Sequence, residues 1–118
     1  MSSELKKIGG SKRFSAIAIH NNVVHLAGQV SQLVEGDITE QSKDVFAKVD
    51  SLLAEAGTTR ENVFSVQIWL ADMREYDEMN KVWDDWVEDL NAAPTRVCVE
   101  ARMAKPHYKI EVLVLAAL

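Results

Sequence analysis

Hydrophobic and polar positions change their period several times along the chain, and each change marks an element. From Phe14 to Ile19 and from Val23 to Gln29 two β-rich runs flank Asn21-Asn22, residues that tolerate positive φ, so the pair reads as a hairpin. Asp37-Ile38-Thr39-Glu40 has the spacing in which an N-cap side chain and a carboxylate three residues later satisfy the free amides of a starting helix. Val45, Phe46, Val49, Leu52, Leu53 and Ala56 then form one helical stripe, and Gly57 suits a left-handed stop. Val63 to Leu70 alternates with period two, placing Phe64, Val66, Ile68 and Leu70 on one side and Ser65, Gln67 and Trp69 on the other.

Asp72 to Glu75 repeats the D-x-x-E spacing, and a second helix carries Tyr76, Met79, Trp83, Trp86, Val87 and Leu90 on one face before Asn91-Ala92-Ala93-Pro94 ends it. Arg96 to Met103 and Lys109 to Ala116 are two further β runs joined by a turn through Pro106 and His107. The order β-β-α-β-α-β-β defines an α+β domain. Right-handed crossovers place both helices on one face of a mixed sheet and leave the other face open for association. In the run from Arg96 the apolar set Val97, Val99, Ala101 and Met103 is expected to face the helices, with Arg96, Cys98, Glu100 and Arg102 opposite. In the last run Ile110, Val112, Val114 and Ala116 oppose Lys109, Glu111, Leu113 and Leu115.

Composition narrows the function classes. The chain has 118 residues, 47% hydrophobic and 26% charged, which suits one domain: a flexible arm over 1–12 and a single domain over 13–118. A net charge of −5 disfavours nonspecific binding to nucleic acid. One cysteine, Cys98, cannot form an internal disulfide, no secretory signal core follows Lys6-Lys7, and the apolar run from Val112 to Leu118 is far below the roughly 20 residues of a membrane helix. A reducing, cytoplasmic setting without a membrane partner is expected.

Few side chains suggest chemistry by spacing alone. His20, His25 and His107 sit at turns or strand ends without partners at metal-ligand spacing, so no metal is assigned. Asp84, Asp85, Glu88 and Asp89 read as a solvated helix face, and Cys98 as a packing residue. A phosphate-binding loop, a dinucleotide fingerprint and a nucleophile elbow are all missing from the sequence. The charges Arg96 and Glu111 stand out, because on a mixed sheet face they need each other or a ligand.

Gly28-Gln29, Leu70-Ala71-Asp72-Met73 followed by Tyr76 and Asn80, Pro94-Thr95-Arg96-Val97-Cys98-Val99-Glu100 and Lys109-Ile110-Glu111-Val112 together resemble the Rid/YjgF family of reactive-intermediate deaminases. The likeness runs from about Arg13 to Leu118, and Arg13-Phe14-Ser15, His20-Asn21-Asn22 and Met79-Asn80-Lys81-Val82-Trp83-Asp84 resemble its YoaB-like branch. The resemblance implies a chorismate-mutase-like fold, a homotrimer built on the open sheet faces, and ligand sites between subunits. It implies hydrolysis of enamines and 2-imino acids, released by pyridoxal-phosphate enzymes, to 2-keto acids and ammonia without a cofactor.

By position, the resemblance makes Arg96 the carboxylate-binding arginine and Glu111 the carboxylate that handles water. Gly28 lines the pocket with its backbone and Cys98 forms a wall. Phe14 stands where RidA-type members carry a tyrosine, so that hydroxyl is missing, and Ala104-Lys105-Pro106-His107-Tyr108 replaces the usual Leu-Pro-Lys turn. Three other readings stay open at this point. Arg96 and Glu111 are a structural ion pair at a subunit interface; the cleft binds a small carboxylate such as a 2-keto acid without catalysis; or the family's old label of endoribonuclease applies, against which the acidic charge argues.

Overall fold

The computed structural model describes residues 4–118. The part of the expected arm at residues 1–3 lies outside the described residues. The chain runs β1 (Lys6–Ile8), β2 (Ile17–His20), β3 (Val23–Leu26), β4 (Gln29–Val30), α1 (Ile38–Ala56), β5 (Val63–Leu70), α2 (Tyr76–Val87), β6 (Thr95–Glu100) and β7 (Ile110–Ala117). The mixed sheet has the order β1-β2-β3-β7-β5-β6, with β4 also pairing β7. Both helices pack on one of its faces, as the alternating pattern requires.

Local chemistry explains most boundaries. Asn21 and Asn22 take positive φ, 52° and 64°, and turn β2 back along β3. Asp37 and Glu40 close a reciprocal capping box on α1, and Gly57 ends that helix in the left-handed region at φ 92°. The second D-x-x-E does less: Asp72 accepts from the Arg74 amide and caps a single 3-10 turn over Met73–Glu75, after which α2 begins at Tyr76. Leu90, expected on α2, lies beyond its end at Val87.

The core lies between helices and sheet. Val45, Phe46, Val49 and Leu53 of α1 and Met79, Trp83 and Trp86 of α2 meet Val66, Ile68, Leu70, Ile110, Val112, Val114 and Ala116. Phe46 stacks on Trp86 at 5.0 Å between ring centroids and meets Trp83 edge-on at 5.9 Å, joining the helices. Gln41, fully buried, donates to the carbonyls of Leu33 and His107 and accepts from the Lys109 amide, so one side chain ties two loops to α1.

Three expectations are corrected. Lys6–Ile8, assigned to a flexible arm, forms β1 and pairs antiparallel with Ile17–Ile19. A chain edge with unmet amides accepts even a short polar segment, which periodicity cannot reveal. The last two long strands form no hairpin, because β5 lies between them, parallel to β6 and antiparallel to β7. β7 buries its whole Ile110-Val112-Val114-Ala116 row and takes the centre, whereas β6 is left at the edge.

The third correction concerns which way β6 faces. Arg96 and Cys98 turn toward the helices, while Val97 and Val99, expected there, are 47% and 43% exposed on the open face. At a sheet edge the helix covers the strand only in part, so a long cationic stem can lie along an aromatic surface with its head kept polar. A smaller shift follows from the irregularity between Val63 and Ser65, which turns Phe64 outward.

Candidate functional site

The sheet rows show what each protomer brings together. Arg96, Val66 and Val114 share a row on the helix side, whereas Val99, Trp69 and Glu111 share one on the open face. Arg96 and Glu111 therefore project from opposite faces of one chain, so a structural ion pair between them is one between copies of the chain.

Arg96 is built into α2. Its Nη1 donates to Asn80 Oδ1 at 2.6 Å and its Nη2 to the Tyr76 hydroxyl at 2.8 Å. The guanidinium carbon lies 4.9 Å from the Trp83 ring centroid and 5.6 Å from that of Tyr76. Positions 76, 80 and 83 stand four and three apart, so one helix face presents all three. Among the described residues no carboxylate lies within ion-pair distance of Arg96; the pairs formed are Lys48–Asp44, Arg60–Asp50 and Arg74–Asp72. From the sequence Tyr76 and Trp83 read as part of an apolar stripe, and Asn80 only as one of the residues that carry the family resemblance. Their signal was the helical spacing, legible only once β6 is known to point Arg96 at α2.

Cys98 lies two residues along the same face and lines a shallow hollow with Met73, Arg74, Tyr76 and Asp77. Burial raises the Cys98 thiol above its ordinary pKa, and the Arg96 charge opposes this only in part. A thiol held protonated is a poor nucleophile. At the rim, the hydrogen bonds from Arg74 hold the partly exposed Asp72 below the usual carboxylate range.

Glu111 and Gly28 form the second cluster. From β3 to β4 the pairing with β7 slips by one residue: His25 faces Leu115, and Gln29 faces Val112. Ala27-Gly28 spans this bulge, and a Cβ on Gly28 would overlap the Glu111 carboxylate. Gly28 is needed for this close approach and not for an unusual φ. Phe14 is 60% exposed and borders a separate hollow with Ala27 and Gln29, the neighbours of Gly28, and with Lys48 and Asp44 of α1. The predicted residues thus fall into two groups, Arg96 with Cys98 and Gly28 with Glu111, while Phe14 lines its own hollow against α1.

Among the described residues no group of three His, Cys, Asp or Glu side chains could hold a metal ion. No described helix is long and apolar enough to cross a membrane.

This geometry defines an α+β protein with two helices on one face of a mixed sheet, Arg96 at the edge against α2 and Glu111 on the open face. Residues 4–118 match the family described as Endoribonuclease L-PSP. A RutC family protein of Haemophilus influenzae is 42% identical over 95% of this chain and 97% of its own. The RutC family protein YoaB of Escherichia coli is 34% identical over 94% of this chain and 96% of its own. A crystal structure of a YjgF family member from Neisseria meningitidis superposes with a TM-score of 0.91 at 37% identity, covering 98% of this chain and 95% of that one. The chain belongs to the Rid/YjgF family.

Proposed function

We propose that the protein is an enamine and imine deaminase that hydrolyses 2-imino acids to 2-keto acids and ammonia in clefts between copies of the chain. The observation that carries this reading is Arg96. It is a half-buried guanidinium held by neutral partners, with no carboxylate among the described residues in ion-pair contact with it. Such a group suits a bidentate carboxylate ligand, which offsets the cost of burying the charge.

Glu111, on the opposite face, reaches the same ligand only from another copy. Association through the open face, with Val97, Val99, Leu113 and Trp69, is therefore part of the proposal, and the homotrimer that the family resemblance implies is the assembly proposed. In this cleft Arg96 orients the substrate and Glu111 of the neighbouring copy takes a proton from water. The water oxygen bonds to the electrophilic imine carbon, giving a carbinolamine. As that bond forms the C=N π electrons move to nitrogen, which takes the first proton back from Glu111; the carbinolamine hydroxyl then gives up its proton through Glu111 to the nitrogen, the C–N bond breaks as the C=O forms, and ammonia leaves the 2-keto acid. Enamines enter after tautomerising to imines. Orientation and one general base suffice for this chemistry, and the protonated Cys98 thiol is not required.

The test couples a threonine dehydratase to 2-iminobutyrate formation and follows 2-ketobutyrate release, with sedimentation of each variant. Wild type should accelerate release, and Arg96→Ala and Glu111→Gln should each lose at least about a hundredfold while remaining assembled. Saturable 2-ketobutyrate binding without acceleration would make the protein a carboxylate binder instead, and Phe14, lacking a hydroxyl, is the residue that favours that second reading.

A further inference from the structure

An arginine that must accept a ligand's charge faces a conflict. It needs fixed geometry, and the usual means of fixing a guanidinium is a carboxylate, which would also neutralise it. Around Arg96 the two requirements are separated. Both hydrogen-bond acceptors, Asn80 Oδ1 and the Tyr76 hydroxyl, are uncharged, and the two flanking surfaces are the faces of Trp83 and Tyr76. Of the five N–H groups of a guanidinium, two are used here, which leaves three to donate, enough for a bidentate carboxylate.

Tyr76 adds a second feature. Its oxygen accepts from Arg96 Nη2, so its own proton is free to be donated, beside the nitrogen on which a carboxylate oxygen would sit. The chain lacks a hydroxyl at Phe14 but has one at Tyr76, at the carboxylate end of the proposed site.

We propose that Tyr76, Asn80 and Trp83 are positioning residues that form a charge-neutral clamp, fixing the Arg96 guanidinium while leaving its charge available to a planar monocarboxylate. The Tyr76 hydroxyl adds a third hydrogen bond to that carboxylate. The inference rests on the carboxylate-binding part of the proposed function and specifies how the site selects its ligand. Asn80 is the decisive position, because aspartate has its shape and keeps the 2.6 Å hydrogen bond but adds a counter-charge.

The experiment measures 2-ketobutyrate binding by calorimetry for wild type, Asn80→Asp, Asn80→Ala and Tyr76→Phe, with thermal melting and sedimentation of each. Wild type should bind. Asn80→Asp should bind at least about tenfold more weakly, and more weakly than Asn80→Ala, while melting no lower than wild type, because the new carboxylate satisfies Arg96 internally. Tyr76→Phe should lose several-fold in affinity. Where catalysis is measurable, these losses should fall on KM more than on kcat. Asn80→Asp binding as tightly as wild type, or Asn80→Ala binding worse than Asn80→Asp, overturns the neutral clamp. No binding by wild type overturns the carboxylate reading on which it stands.

Discussion

At the scale of single residues the site is governed by contacts that exclude alternatives. Gly28 sits where any larger residue would meet the Glu111 carboxylate. Gly28→Ala should therefore displace that carboxylate and cut imine hydrolysis by at least about tenfold, with circular dichroism and 2-ketobutyrate binding at Arg96 little changed. Loss of binding and activity together would show that the two clusters act as one. Arg96 and Glu111 themselves were legible as charges on otherwise apolar strands. Tyr76, Asn80 and Trp83 were not, since a tyrosine and a tryptophan at helical spacing look like core until something polar is known to face them.

At the scale of elements, capping and sheet position carry the argument. The capping box of Asp37 and Glu40 starts the helix that, through buried Gln41, holds the loops around Leu33 and His107. Asp37→Ala should lower stability by about 1 kcal/mol in urea unfolding at fixed protein concentration, with the site chemistry intact. An unchanged midpoint would show that tertiary packing alone sets the start of α1. α1, Gly57 and β5 were readable from period and punctuation. The second D-x-x-E caps only one 3-10 turn, because there the N-cap carboxylate reaches the Arg74 amide two residues on and is gripped by the Arg74 guanidinium. The reach of β6 was also overstated: it stops at Glu100, where the parallel partner β5 ends at Leu70.

At the scale of the whole molecule, the sheet separates Arg96 from Glu111 and leaves a half-apolar face uncovered. Val97 and Val99 are exposed there beside half-buried Trp69 and Leu113. A lysine at Val97 should prevent association, shifting sedimentation to the monomer and abolishing hydrolysis while secondary structure persists. An active monomer would refute a site shared between copies. The pleat of β7, with Ile110 and Val112 buried on either side, turns Glu111 to the open face, and the bulge at Ala27-Gly28 leaves room for its carboxylate.

The sequence by itself determined the two helices, most of the strands, the family and the identity of the charged residues, because period, caps and turn residues act over a few positions. Tertiary structure alone decided that β5 lies between β6 and β7, that Arg96 faces α2, and that Glu111 faces away from it. Those outcomes depend on which strand buries its row most completely and takes the centre of the sheet. That is a competition among segments distant in the chain, and no local pattern records its result.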